Sequence, residues 1–189
     1  MAAVGAVMRE PRRVDTVKSL EWHLPSVSPT APLSIRPATL ADAPTLARLY
    51  RDAYAMNVEL GFPSRAAEAD RGALENWIRG ARLFVAVDGG KLVGSIRYRD
   101  HGHYHPEDPE FGRLAVPPRA RGAGVGDALI EYVEGVARRD DHDQMRLRTF
   151  AGHPFLPAVY RRRGYQEVRV RELEGAPFDV LHMCKELSG

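Results

Sequence analysis

Cysteine is nearly absent: Cys184 is the only one, which excludes an internal disulfide and suits a reducing, cytoplasmic compartment. It stands in an apolar run, where a buried inert thiol is expected rather than a nucleophile. Long hydrophobic runs are missing too. Residues 2–8 are apolar, but no basic segment precedes them, no clean small-residue cleavage site follows, and nothing is long enough to span a bilayer. A membrane is therefore not expected as a partner. Nor does one charge dominate: 27 basic against 25 acidic side chains leave a net charge of +2, with the signs interspersed. That excludes the basic field by which nucleic acid is gripped. No internal repeat is present. What remains, at 189 residues with 44% hydrophobic and 28% charged, is a globular composition with room for one sizeable core.

Residues 1–32 are expected to be an extension, mobile or packed across the surface. Pro25, Pro29 and Pro32 with Ser26 and Ser28 make it linker-like, and Trp22 and Leu24 are its natural anchors. Residues 33–187 are expected to form one domain. Residues 33–38 suit a first strand; Thr39 or Asp42 can cap the next helix, with Pro44 in its first turn and Leu46, Leu49, Tyr50 and Ala53 as its apolar stripe. A break at 57–64 leads to a second helix over 65–79. Residues 82–88 and 91–99 read as a hairpin around Asp88, Gly89, Gly90 and Lys91. A strand over 110–116, a helix over 125–139, a strand over 145–150 and a short helix ending at Gly164 follow. Residues 168–173 and 178–187 close the chain as a hairpin.

The most informative stretch is 110–139. Leu114, Ala115 and Val116 read as buried strand, stopped by Pro117 and Pro118, and a helical period then runs from Val125. Between them lie Arg121, Gly122, Ala123, Gly124, Val125, Gly126 and Asp127. A glycine-rich turn at a helix N-terminus aims unpaired amides and the positive end of the dipole at one place, a seat for phosphate or pyrophosphate. The Walker pattern fails, because no Lys-Ser or Lys-Thr follows the glycines. The dinucleotide fingerprint fails as well: Asp127 stands where its third glycine belongs, and residues 146–151 offer no acid for a ribose.

Arg121-x-x-Gly124-x-Gly126, following a strand that ends Leu114-Ala115-Val116-Pro117, resembles the acyl-CoA loop of the GCN5-related N-acetyltransferases, the GNAT family. The run from Leu156 through Tyr160 to Gly164 and Tyr165 is similar to that family's later Leu-Tyr-x-x-x-Gly-Phe segment, with Tyr165 in place of phenylalanine. The resemblance covers roughly residues 33–187. It implies an α/β chain of the α+β type: a mixed, mostly antiparallel central sheet flanked by helices, in the order βααβββαβαββ. The patterning already gives that order.

The resemblance further implies an acetyl-CoA-dependent N-acetyltransferase, with acetyl-CoA as co-substrate, no metal, and a primary amine of a small molecule or peptide as acceptor. The amides of residues 122–127 would take the pyrophosphate, provided that the Asp127 carboxylate points outward. The backbone of Leu114, Ala115 and Val116 would part from the next strand and bind the pantetheine arm, with the Val116 N–H polarising the thioester carbonyl. Tyr160 matches the tyrosine that protonates the leaving thiolate, and a phenol stays protonated at neutral pH. Glu110, four residues before Leu114, is the candidate base acting through water, with His103 and His105 as runners-up. His153 stands where the family often has an asparagine that contacts the coenzyme, which is a departure. Arg161, Arg162 and Arg163 could reach a ribose phosphate or simply be solvated.

The acceptor is expected past the break between the first helices, with Tyr54, Glu59, Phe62, His103 and His105 as candidates. His101, His103 and His105 alternate, but Gly102 and Pro106 argue for a loop and against a zinc site. Two other readings stay open at this stage. One is an acyl-CoA-binding module of the same fold without chemistry; the other is a nucleotide-binding regulatory domain. A homodimer, through the last hairpin or the extension, is compatible with the sequence.

Overall fold

A computed structural model describes residues 33–187, so the expected extension and its anchors Trp22 and Leu24 lie outside the described residues. The first strand, β1 (Ser34–Pro37), is followed by a 3-10 turn and by α1 (Ala43–Glu59). Asp42 sets that junction: it accepts a hydrogen bond from the Thr39 amide at 2.8 Å and holds the Arg36 guanidinium through both carboxylate oxygens at 2.8 and 2.9 Å. The Arg36 bond and the Thr39 donors outweigh desolvation and hold the Asp42 carboxyl down at about 2. The second helix, α2 (Arg71–Gly80), starts later than the expected residue 65. Its true start is Asp70, whose side chain accepts from the Ala73 amide at 2.8 Å and caps the first turn.

The hairpin of β2 (Arg82–Asp88) and β3 (Lys91–Arg99) turns through Gly89 and Gly90, with φ of 54° and 77°. Both central residues lie in the left-handed region that a tight hairpin turn requires. Then come β4 (Glu110–Ala115), α3 (Val125–Arg139), β5 (Gln144–Phe150), α4 (Leu156–Arg162), β6 (Gln166–Arg171) and β7 (Val180–Glu186). The final hairpin is therefore shifted from its expected bounds. Residues of β6 are exposed along its whole length, so no burial pattern marks it in the sequence.

The strands form one seven-stranded sheet in the order β1-β2-β3-β4-β5-β7-β6. Every neighbouring pair is antiparallel except β4 with β5. On one face, Phe84, Ile96, Tyr98, Phe111, Leu147 and Met183 pack with the inner sides of α3 and α4. On the other face, Leu83, Val85 and Ala115 pack with the stripe of α1 (Leu46, Leu49, Tyr50 and Ala53) and with Leu74 of α2. Two buried layers thus clamp β1 to β4. Among the described residues, no helix is long and apolar enough to cross a membrane.

Candidate active site

Two irregularities of the sheet open a site at its centre. The first is the β4–β5 pairing, which exists only at Glu110 with Arg146 and Phe111 with Leu147. Beyond those residues the two strands part. The second is a bulge in β4: Ser95 opposes Ala115 and Arg97 opposes Gly112, so Arg113 and Leu114 together face Ile96. Arg113 carries the strain, with φ of 53°. A non-glycine residue in that region costs roughly 1–3 kcal/mol, and the surroundings must hold it there. The Tyr50 hydroxyl donates to the Arg113 carbonyl at 2.9 Å, the Tyr54 hydroxyl to the Leu114 carbonyl at 3.2 Å, and the Arg113 guanidinium lies 3.4 Å from the Trp77 ring centroid.

Beyond the bulge, the chain turns through residues 117–124 into α3. Gly122 and Gly124 adopt φ of 79° and 75°, and a side chain at either would meet open space, so conformation alone demands glycine there. Arg121 pins the turn to α1, donating to the Ala53 carbonyl at 2.9 Å and to the Val116 carbonyl at 3.3 Å. Ordinary helical pairing begins only with the Ala128 amide, which donates to the Gly124 carbonyl at 2.9 Å. Among the described residues, the amides of 122–127 donate no well-formed backbone hydrogen bond. Asp127, which also lines the cavity, is exposed and ion-paired with Arg163, so its charge is offset by that guanidinium.

A cavity of about 690 Å³ joins these features. It is lined by the glycine turn, by β4, by Tyr160 and by the end of α1 with the start of the following loop. Tyr160 is buried; burial pushes its phenol up to about 12, and among the described residues its hydroxyl makes no hydrogen bond. Glu110 also lines the cavity. It is 5% exposed, and both its oxygens are held by Arg148, at 2.9 and 3.0 Å.

The structure places several of the sequence-based candidates away from the cavity. His153 does not line the cavity: its Nδ1 accepts from the Phe155 and Leu156 amides at 3.4 and 3.3 Å, which leaves the proton on Nε2 for Asn57 Oδ1 at 3.3 Å. It caps the entry to α4, and burial lowers its pKa. Of the acceptor candidates, Tyr54 lines the cavity, whereas Glu59, Phe62, His103 and His105 do not. Glu59 is exposed at the end of α1, and the Phe62 ring packs 5.2 Å from Phe150 and 4.9 Å from His153.

His103 lines a separate depression with Arg79 and Arg82. His105 sits in a loop folded back on itself through the Gly102 amide and the Asp108 carbonyl at 2.8 Å. His105, Glu107 and Asp108 bring possible ligand atoms within 4.8 Å of one another, but Asp108 is committed to Arg146 at 2.6 Å. Arg161 is paired with Glu167 and Arg163 with Asp127, so the basic run is largely spent within the protein.

The residues that sequence reasoning passed over are Arg97, Gly112, Arg113 and Arg148, all on the cavity wall. The available signal was Arg97 between Ile96 and Tyr98 in a strand buried on both sides. A charge there reads as an outward position unless the pairing partner is known.

The mostly antiparallel seven-stranded sheet with its flanking helices agrees with comparisons to known proteins. The acetyltransferase (GNAT) family model matches residues 45–165, and the chain belongs to that family of N-acetyltransferases. Among its relatives is the S-alkylcysteine N-acetyltransferase of Bacillus subtilis (strain 168), 31% identical over 153 residues, covering 78% of this chain and 86% of the relative. The S-(2-succino)cysteine N-acetyltransferase of the same organism is 29% identical over 157 residues, covering 80% and 94%. The fold is shared with the PaiA N-acetyltransferase of Thermoplasma acidophilum in complex with coenzyme A, at a TM-score of 0.66 and 17% identity over 82% of this chain and 98% of that one.

Proposed function

We propose that the chain moves an acetyl group directly from the coenzyme A thioester to the primary amine of a small molecule. The observation that carries this reading is the turn at residues 122–127, whose unpaired amides head α3 and open onto the same cavity as the free hydroxyl of Tyr160. Relatives named for cysteine derivatives favour a small molecule over a peptide, and make S-substituted cysteines the first acceptors to try.

The co-substrate supplies an activated acyl group; the residues supply place, polarity and protons. Amides of 122–127 seat the pyrophosphate where the dipole of α3 favours negative charge. The backbone of Leu114, Ala115 and Val116 lines the pantetheine arm, and the Val116 N–H faces the oxygen that becomes anionic as nitrogen attacks. As the new C–N bond forms and the C–S bond breaks, Tyr160 gives its proton to the sulfur. Glu110, through water, takes the proton that the amine must lose. Every atom is then accounted for: amide, thiol and one proton moved from nitrogen to the phenolate by way of solvent.

The test is thiol release from acetyl-CoA in the presence of S-benzyl-L-cysteine, with acetyl-CoA binding followed by calorimetry. Turnover and binding are both expected, and Gly124→Glu is expected to abolish both by placing a carboxylate in the anion seat. Binding without turnover of any amine would favour the non-catalytic module instead.

A further inference from the structure

Arg97 is a buried cation that, among the described residues, has no ion-pair partner. It is 7% exposed, its Nε is sealed from solvent without a hydrogen-bond partner, and among the described residues no carboxylate lies within ion-pairing distance. Arg113, directly beyond Gly112, is only half-buried, but its Nε is sealed and, among the described residues, has no hydrogen-bond partner; its guanidinium lies over the Trp77 ring. Both line the cavity. Among the described residues, the acid on this part of the wall is Glu110, and Arg148 holds both its oxygens. Glu110 is near enough to favour the charged form of Arg97 but is committed to Arg148. A buried guanidinium with guanidiniums around it and no acid paired to it is costly, and proteins retain such a group where a ligand brings the missing charge. Desolvation, with Arg99 and Arg113 nearby, drags Arg97 down to about 10, which reports the same deficit.

The fold makes room for this arrangement. Gly112 stands opposite Arg97, and a side chain there would come within 3.4 Å of the guanidinium. The bulge then swings Arg113 toward the same space. These residues lie on the β3–β4 side of the opening, whereas the pyrophosphate reading uses the turn at 122–127, after the end of β4. The two groups of residues thus occupy different parts of the wall of one cavity.

We infer that the acceptor is an amine that carries a carboxylate, as an α-amino acid does, and that Arg97 and Arg113 hold that carboxylate while its nitrogen faces the thioester. This rests on the acetyltransferase reading above. Arg97 presents the fork suited to a carboxylate, and Arg113 supplies the second charge.

The experiment compares S-benzyl-L-cysteine with S-benzylcysteamine, which differ only in the α-carboxylate, as acceptors in steady-state kinetics. The wild-type protein is expected to prefer the carboxylated amine in kcat/KM by about 100-fold, the effect of charge-assisted hydrogen bonds in a dry site. Arg97→Gln is expected to shrink that preference to below about tenfold, chiefly through KM, with Arg97→Lys in between. Acetyl-CoA binding by calorimetry, measured on each variant, shows that it is folded; if Arg97→Gln is not, Arg113→Gln carries the same expectation. Equal use of both amines by the wild-type protein, or a preference that survives both substitutions, overturns the inference and leaves the acetyltransferase reading intact. Failure of the wild-type protein to bind acetyl-CoA overturns that reading instead.

Discussion

Arg148 grips both carboxylate oxygens of Glu110, at 2.9 and 3.0 Å, across the last rung before β4 and β5 part. A proposed base is thus also a structural tie, and the two roles separate by experiment. Glu110→Gln is expected to cost about 2–3 kcal/mol of stability, less than a fully buried pair would, since the Arg148 side chain stays 27% exposed. If Glu110 is also the base, kcat/KM falls by about 10²–10⁴ and the acidic limb of the pH–rate profile flattens. A lower melting temperature with an unchanged profile assigns it to the scaffold.

Tyr160 permits a cleaner separation. Tyr160→Phe keeps the ring that packs 6.1 Å from Phe111 and removes only the hydroxyl, which has no partner among the described residues. Turnover is expected to fall by about 100-fold with acetyl-CoA affinity within about twofold of wild type. Since burial raises the phenol to about 12, it stays protonated at and above neutrality, and Tyr160 contributes no alkaline fall in kcat below about pH 11. A drop near pH 9 that disappears in the phenylalanine variant would contradict this.

Gly94 is a packing glycine. A Cβ there would lie 2.7 Å from Val125 Cγ1 and 2.8 Å from Leu129 Cδ1, the first turns of α3. Gly94→Ala therefore pushes on the helix whose N-terminus carries the proposed anion seat. Chemical denaturation is expected to report a loss of about 1–3 kcal/mol, and calorimetry a weaker acetyl-CoA affinity. Loss of stability with affinity intact would mean that α3 absorbs the methyl without moving its first turn.

His182 makes the fold sensitive to acid. Burial first, then Arg169 and Arg148, pushes its imidazole down to about 4, while Tyr104 closes over it at 5.3 Å. The unfolded chain takes up that proton near pH 6.5, before the native state does, so this contribution is whole above pH 6.5 and drains as pH falls toward 4. About 2 kcal/mol should be lost between pH 7 and pH 5 in denaturant titrations. His182→Gln should flatten that slope; an equally steep decline in the variant would place the sensitivity elsewhere, for example at His153.

Much of the fold was legible because periodicity and turn chemistry are local. The helical stripe of α3, the Gly89-Gly90 hairpin and the order of elements all follow from spacings within a dozen residues. The start of α2 was misplaced because Asp70 looks like any surface acid until its side chain is seen on the Ala73 amide. The glycine turn could also be read, since glycines at 122 and 124 answer a backbone demand that any sequence must meet in the same way. Cavity lining could not be read so well: Glu59 is exposed, Phe62 packs in an aromatic cluster, His103 lines a separate depression and His105 sits in a loop folded on itself.

Alone, then, the sequence determined the order of the elements, the glycine turn ahead of α3 and the family. Tertiary structure decided which charges meet. Arg148 reaches Glu110 and Arg97 comes to lie beside Gly112 through strand pairing, and a slip of one residue would send each to the opposite face. The bulge at Arg113 is such a slip, held by Tyr50 and Trp77 from another layer of the fold. Local preference sets what a segment becomes; register and packing set what its side chains face.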